Sequence, residues 1–245
     1  MRNIKLLIKY DGSKYKGWQR LKNSDKSIQQ KIEETLSRIT QEDIKIIGSG
    51  RTDAGVHAIG QVANFKTNSD MILNDLQDYL NIYLPQDIVI GEVKEVHDRF
   101  HSRYNAIRKT YLYKIWNEKY RNPFVRNYSE HINESLNVEA MEKGAKFLVG
   151  ENDFSSFVTS KSKKKSNVRT IYSIDITKSD GLIEIKIVGN GFLYNMVRII
   201  VGTLIEVGKG NLKPQKVNDI LKKKNRQLAG PTASAQGLYL VEVEY

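Results

Sequence analysis

The hydrophobic residues of this chain change period in a fixed order, and they run through that order twice. Ile4, Leu6, Ile8 and Tyr10 alternate with Lys5 and Lys9, the two-residue period of a half-buried strand. Ile28, Ile32, Leu36 and Ile39 then recur at helical spacing. Ser27-Ile28-Gln29-Gln30 predicts a capping box, with Ser27 accepting from the amide of Gln30 and the Gln30 side chain reaching back. Strands are expected over 44–47 and 61–67, a helix over 71–80 ended near Pro85, and a strand over 88–96. The second pass begins with a strand over 110–116 that puts Tyr111, Tyr113 and Ile115 on one side. Val138, Met141, Ala145 and Leu148 mark a helix that stops at Gly150. A hairpin of 170–177 and 182–188 turns at Ser179-Asp180-Gly181, helices follow over 193–207 and 217–223, and 238–245 closes as a strand. Two βαββαβ-like halves predict an α+β protein with a largely antiparallel sheet and helices packed on one face. The boundary falls near Ala106, dividing 1–105 from 106–245. No Pro/Gly/Ser linker marks it, so the halves are expected to share one continuous core.

Charge narrows the partners. Lys and Arg number 39 against 28 Asp and Glu, a formal charge of +11 that favours nucleic acid or an anionic membrane surface. The absence of cysteine excludes disulfides and thiolate metal sites. Only His97 and His101 stand at helical spacing, and HDRFHSR lacks the acidic third ligand of an HExxH site, so no metal is expected. The opening MRNIKLLIKYDG reads as a strand and not as a signal peptide. The weakly charged run 189–205 is broken by Asn190, Asn195, Arg198 and glycines, which makes a poor membrane span. A soluble cytoplasmic protein is the expectation. The lysine-rich patch from Ser160 to Ser166 is expected to be a mobile exposed loop, with Lys222 to Arg226 a second basic run at a helix end.

Three places could carry chemistry. GSGRTDAGVHA, residues 48–58, is rich in glycine yet holds neither the GxxxxGK[ST] of a P-loop nor the GxGxxG of a dinucleotide fold. Its Asp53 is either an ordinary turn aspartate or, given Arg51, the glycines and His57 in a loop joining two strands, a catalytic carboxylate. Arg198 is the only charged side chain between Gly189 and Ile205. A guanidinium in apolar surroundings calls for an anion, which is either a structural carboxylate or one at an active site. Arg99, Arg103, Arg108 and Lys109 run up to Tyr111 and Tyr113. Cations interleaved with aromatics suit RNA, and they equally suit a solvated edge beside a tyrosine-rich core strand.

GSGRTDAGVHAIGQVANF (48–65) closely resembles the signature of the tRNA pseudouridine synthase A family. YDGSKYKGWQ (10–19), FHSRYNAIRKTYLYKI (100–115), GENDFSSF (150–157), NGFLYNMVRIIVGTLIEVGKG (190–210) and GLYLVEVEY (237–245) resemble further blocks of that family, in its order and over the whole chain. Ser49 stands where Ala is usual, and the 160–166 patch is a second departure. The resemblance implies a pseudouridine synthase fold of two ferredoxin-like halves, working as a homodimer without cofactor or metal. It implies isomerisation of uridine to pseudouridine in the anticodon arm of tRNA, at positions around 38 to 40. Carried over by position, Asp53 is the nucleophile, Arg51 helps displace the target base, Tyr111 lies beneath the uracil, and Arg198 pairs with the catalytic Asp53.

Overall fold

A computed structural model describes residues 1–159 and 166–245, so the expectation of a mobile lysine-rich loop falls outside the described residues except at Ser166. The chain divides into two compact units, one of Met1–Ile107 with Tyr239–Tyr245 and the other of Arg108–Leu238.

The first unit begins with β1 (Arg2–Tyr10), in which Ile4, Leu6 and Ile8 are fully buried on one side as the alternation predicts. Helix α1 (Ile28–Thr40) follows, and Ile28, Ile32 and Leu36 on its apolar face are fully buried. Ser27 caps it, accepting from the Gln30 amide at 3.4 Å, but the reciprocal half of the capping box is missing. Gln30 instead donates to Glu34 Oε1 one turn on, at 2.8 Å. Next come β2 (Ile47–Gly48), β3 (His57–Thr67), α2 (Leu73–Tyr83) and β4 (Ile88–Val96). The sheet order is β4-β1-β3-β2 with every neighbouring pair antiparallel, as a βαββαβ half requires.

Residues 44–46 do not form the expected strand, because helix side chains take their backbone groups. Ser37 Oγ accepts from the Ile44 amide at 2.9 Å, Glu33 Oε1 from the Ile46 amide at 3.1 Å, and Gln29 Nε2 donates to the Ile46 carbonyl at 3.2 Å. A group bonded to a side chain is not offered to a ladder. The strand therefore shrinks to Ile47–Gly48, which pairs with Asn64 and Ala63 of β3. Strand β3 starts four residues earlier than its alternation shows. It is buried on both faces except at Ile59 and Lys66, and such a strand loses the two-residue period.

The second unit holds β5 (Arg108–Trp116), β6 (Glu130–His131), α3 (Val138–Ala145), β7 (Gly150–Asp153), β8 (Val168–Ser179), β9 (Leu182–Gly189), α4 (Met196–Gly208) and α5 (Lys216–Lys223). Strands β5, β9, β8 and β7 follow one another antiparallel, and β6 lies parallel to the end of β5. Asp180 and Gly181 turn the β8–β9 hairpin in left-handed conformation, φ 49° and 78°. Helix α4 is apolar on nearly all sides and buried accordingly. It starts three residues later than its hydrophobic run, because Asn195 sits at φ 60° and breaks the helical path. The last strand, β10 (Leu238–Glu244), returns to the first unit and runs parallel to the start of β3, Tyr239 opposite His57 and Leu240 opposite Ala58. The outer edge of β3 is thus shared, β2 at one end and β10 at the other.

Glu33 is the joint that holds residues 44–46 to α1. Its side chain is 2% exposed and also accepts from Arg20 Nη1 at 2.9 Å. Glu33→Ala strands a buried amide and should lower the free energy of unfolding by about 2 kcal/mol or more, read as a lower urea midpoint at unchanged slope.

Candidate active site

Strand β3 is entered from a loop, Gly50 to Val56, that carries Arg51 and Asp53. Arg51 is exposed and Asp53 half-buried. Between them Thr52 is 7% exposed and held from two directions. Its Oγ1 lies 2.7 Å from the phenol oxygen of Tyr10, the last residue of β1, and its carbonyl accepts from the Trp18 amide at 3.0 Å. The Asp53 carbonyl accepts from the Val56 amide at 3.2 Å, which closes the turn. Upstream, Gln61 Nε2 donates to the Gly50 carbonyl at 3.0 Å while its Oε1 accepts from Ser49 Oγ at 2.7 Å. Burial, above all, pushes the Tyr10 phenol well above the usual tyrosine range, so it stays protonated.

The segment after β1 packs directly on this loop. A Cβ on Gly12 would stand 2.0 Å from the Val56 carbonyl oxygen, closer than any side chain allows. Only glycine permits that approach of two backbones. Tyr10, Trp18, Thr52 and Gln61 are not singled out as site residues in the sequence, where Tyr10 reads only as the end of the first strand's alternation. The signal that could have found them is the pair of glycine-bearing blocks, YDGSKYKGWQ and GSGRTDAG, each needing a close partner.

In the second unit Tyr111 is half-buried on β5, opposite Ile187 of β9, and meets Phe192 edge-on with ring centroids 5.1 Å apart. Arg198 lies in the first turn of α4. Its Nε donates to the Ala233 carbonyl at 2.7 Å, and the Ala233 amide donates back to the Arg198 carbonyl at 3.1 Å. Its Nη1 donates to Asn195 Oδ1 at 3.2 Å. Ser234, the next residue, is held in turn: its Oγ donates to Glu130 Oε1 at 2.9 Å. The buried Tyr113 hydroxyl lies 2.7 Å from both Glu130 Oε2 and the Ser234 carbonyl. Burial first and the Glu130 carboxylate second push the Tyr113 phenol well above its usual range. Glu130, Ser234 and Asn195 carry no pattern in the sequence, where a bond such as that of Tyr113 to the Ser234 carbonyl leaves no mark.

Of the basic set, Arg99 and Arg103 are exposed near the end of the first unit. Arg108 opens β5 and covers the Tyr172 ring at 4.9 Å, a cation–π contact within the second unit. His97 and His101 are in loops, not on a helix. No group of three or more His, Asp or Glu that could hold a metal is found among the described residues. No helix among them is long and apolar enough to cross a membrane.

A family model described as tRNA pseudouridine synthase matches residues 6–105 and 145–245. Tyr111 falls in the stretch it leaves out. Full-length relatives cover that stretch. The chain is 54% identical over 245 residues to tRNA pseudouridine synthase A 2 of Bacillus cereus, covering all of both chains. It is 56% identical to tRNA pseudouridine synthase A of a Bacillus species and 49% identical to that of a Thermoanaerobacter species, again over all of both chains. Among solved structures, a chain of a Cbf5-Nop10-Gar1 complex is 11% identical at a TM-score of 0.33, over 82% of this chain and 45% of that one, a likeness too slight to bear on the fold.

Gly12→Ala should force the two backbone segments apart and cost on the order of 1–3 kcal/mol of stability. Hydrogen exchange should quicken at the Val56 amide, whose bond closes the Asp53 turn.

Proposed function

The chain belongs to the tRNA pseudouridine synthase family, and from that premise we propose that it isomerises uridine to pseudouridine in the anticodon arm of tRNA, at positions around 38 to 40, with Asp53 as the nucleophile. The observation that carries this reading is the GRTDAGVH loop, with Asp53 half-buried in a turn held at Thr52 and Val56, in a chain whose full-length relatives are named for this reaction. A net charge of +11 supports a polyanionic substrate.

A uridine stacked in a stem-loop is not open to attack, so it is first turned out of the stack, at a cost of roughly a few kcal/mol. Arg51, exposed beside the turn, takes the place of the displaced base, and Lys and Arg contacts to phosphates offset the cost. The Asp53 carboxylate then attacks the ribose anomeric carbon or carbon 6 of the uracil. The bond from the anomeric carbon to N1 breaks, the uracil turns, a bond from the same carbon to C5 forms, and the bond made to Asp53 breaks to return its carboxylate. The proton leaves C5, and N1 carries one in the product, so the two isomers balance. A covalent step divides one hard exchange into two easier ones. Tyr111 holds the uracil ring by stacking and helps remove the C5 proton, and Arg198 supplies the supporting positive charge for Asp53. We assign a homodimer in the cytoplasm on the same family grounds, with no cofactor or metal.

Asp53→Ala should abolish tritium release from tRNA labelled at C5 of uridine while binding of the tRNA persists, and retained turnover would overturn the assignment. Tyr111→Phe keeps the ring and removes the hydroxyl. It should lower kcat about tenfold or more if the phenol takes part in proton removal. Near-normal turnover would confine Tyr111 to stacking.

A further inference from the structure

Tyr10 closes a core strand, and its hydroxyl is aimed at the residue that precedes Asp53. The side chain is 5% exposed, packs beside Trp18 with ring centroids 6.0 Å apart, and reaches Thr52 Oγ1 at 2.7 Å. Strand β1 lies between β4 and β3, and Tyr10 pairs with Ala58 on one side and Ile88 on the other, so the phenol is mounted on a strand held from both sides. We propose that Tyr10 is a positioning residue for the reaction: through Thr52 it fixes the direction in which Asp53 presents its carboxylate. The inference rests on the reading of Asp53 as nucleophile.

Three observations carry it. Thr52 sits directly before Asp53, so rotation of its backbone swings the carboxylate. The Trp18 amide holds the Thr52 carbonyl but leaves its φ and side chain to be set elsewhere, and Tyr10 is the group that reaches the side chain. The contact is also dispensable for packing. A phenylalanine at 10 and a valine at 52 keep the shape of the residues they replace, so neither opens a cavity, and the cost in stability of each is that of the one buried oxygen it leaves unpaired. A purely structural hydrogen bond would show in stability alone. A positioning bond shows in the chemical step, since a displacement near 1 Å at a reacting group can cost about a hundredfold.

The test compares Tyr10→Phe, Thr52→Val, the double variant and Thr52→Ser, assayed for pseudouridine formation on tRNA beside the parent and Asp53→Ala. Tyr10→Phe and Thr52→Val should each lower kcat by about tenfold or more, with KM for tRNA changed by less than about twofold. The double variant should fall no further than the weaker single variant, because both break one bond. Thr52→Ser, which keeps the oxygen, should stay near the parent. Folded Tyr10→Phe and Thr52→Val with parental kcat would overturn the proposal, as would losses that multiply in the double variant. If Tyr10→Phe melts early, Thr52→Val decides on the same two criteria. A parent chain that makes no pseudouridine, or an Asp53→Ala chain that still does, overturns the reading of Asp53 and this role with it.

Discussion

The hydrogen bond between Tyr10 and Thr52 is where the order of a sheet passes into a loop. Its two ends lie 42 residues apart, one at the end of a buried strand and one in a turn. Its net contribution to stability is modest, about 1 kcal/mol, as for most intramolecular hydrogen bonds. Geometry is the larger effect. The Trp18 amide on the Thr52 carbonyl, the Val56 amide on the Asp53 carbonyl and the Gln61 amide on the Gly50 carbonyl leave the turn little freedom. A reacting group must be held to within about half an ångström, and loops manage this only when a rigid element bonds to them directly.

The close approach at Gly12 is the second half of the same constraint. Two backbones that nearly touch can slide only together, so the stretch from Gly12 to Trp18 and the Asp53 loop behave as one layer. This explains why two glycine-bearing blocks far apart in the chain belong to one local structure.

Periodicity made most of the fold legible. The helical face of α1, the limits of β4 and the β8–β9 hairpin all follow from residues that repeat at two or 3.6. Failures occur where a polar side chain or a single backbone angle overrules the period. Residues 44–46 look like a strand, but their amides and carbonyl bond to Ser37, Glu33 and Gln29. Helix α4 looks longer than it is, until Asn195 turns left-handed. Strands β6 and β7 are two and four residues long, too short to hold any period. At the candidate site, Arg51 and Asp53 stand out through the glycines around them and Arg198 through its isolation among apolar residues. Their supports do not, because a threonine hydroxyl and a main-chain carbonyl leave no mark in a sequence.

Arg198 shows how such an unmarked support works. Its Nε and Nη1 donate to the Ala233 carbonyl and the Asn195 side-chain oxygen, both of them neutral. Acceptors of this kind fix the direction of a guanidinium through the geometry of its N–H groups. Glu33 with Arg20 illustrates the other arrangement, a charge met inside the first unit to hold a joint. The Ala233 carbonyl can serve as a fixed acceptor because the next residue is clamped by Glu130 and Tyr113. Tyr113 must keep its proton to take part, and burial ensures that it does. Glu130 is thus spent on the clamp, which holds the residue next to one acceptor of Arg198. Its negative charge serves to stiffen the frame that holds one acceptor of Arg198.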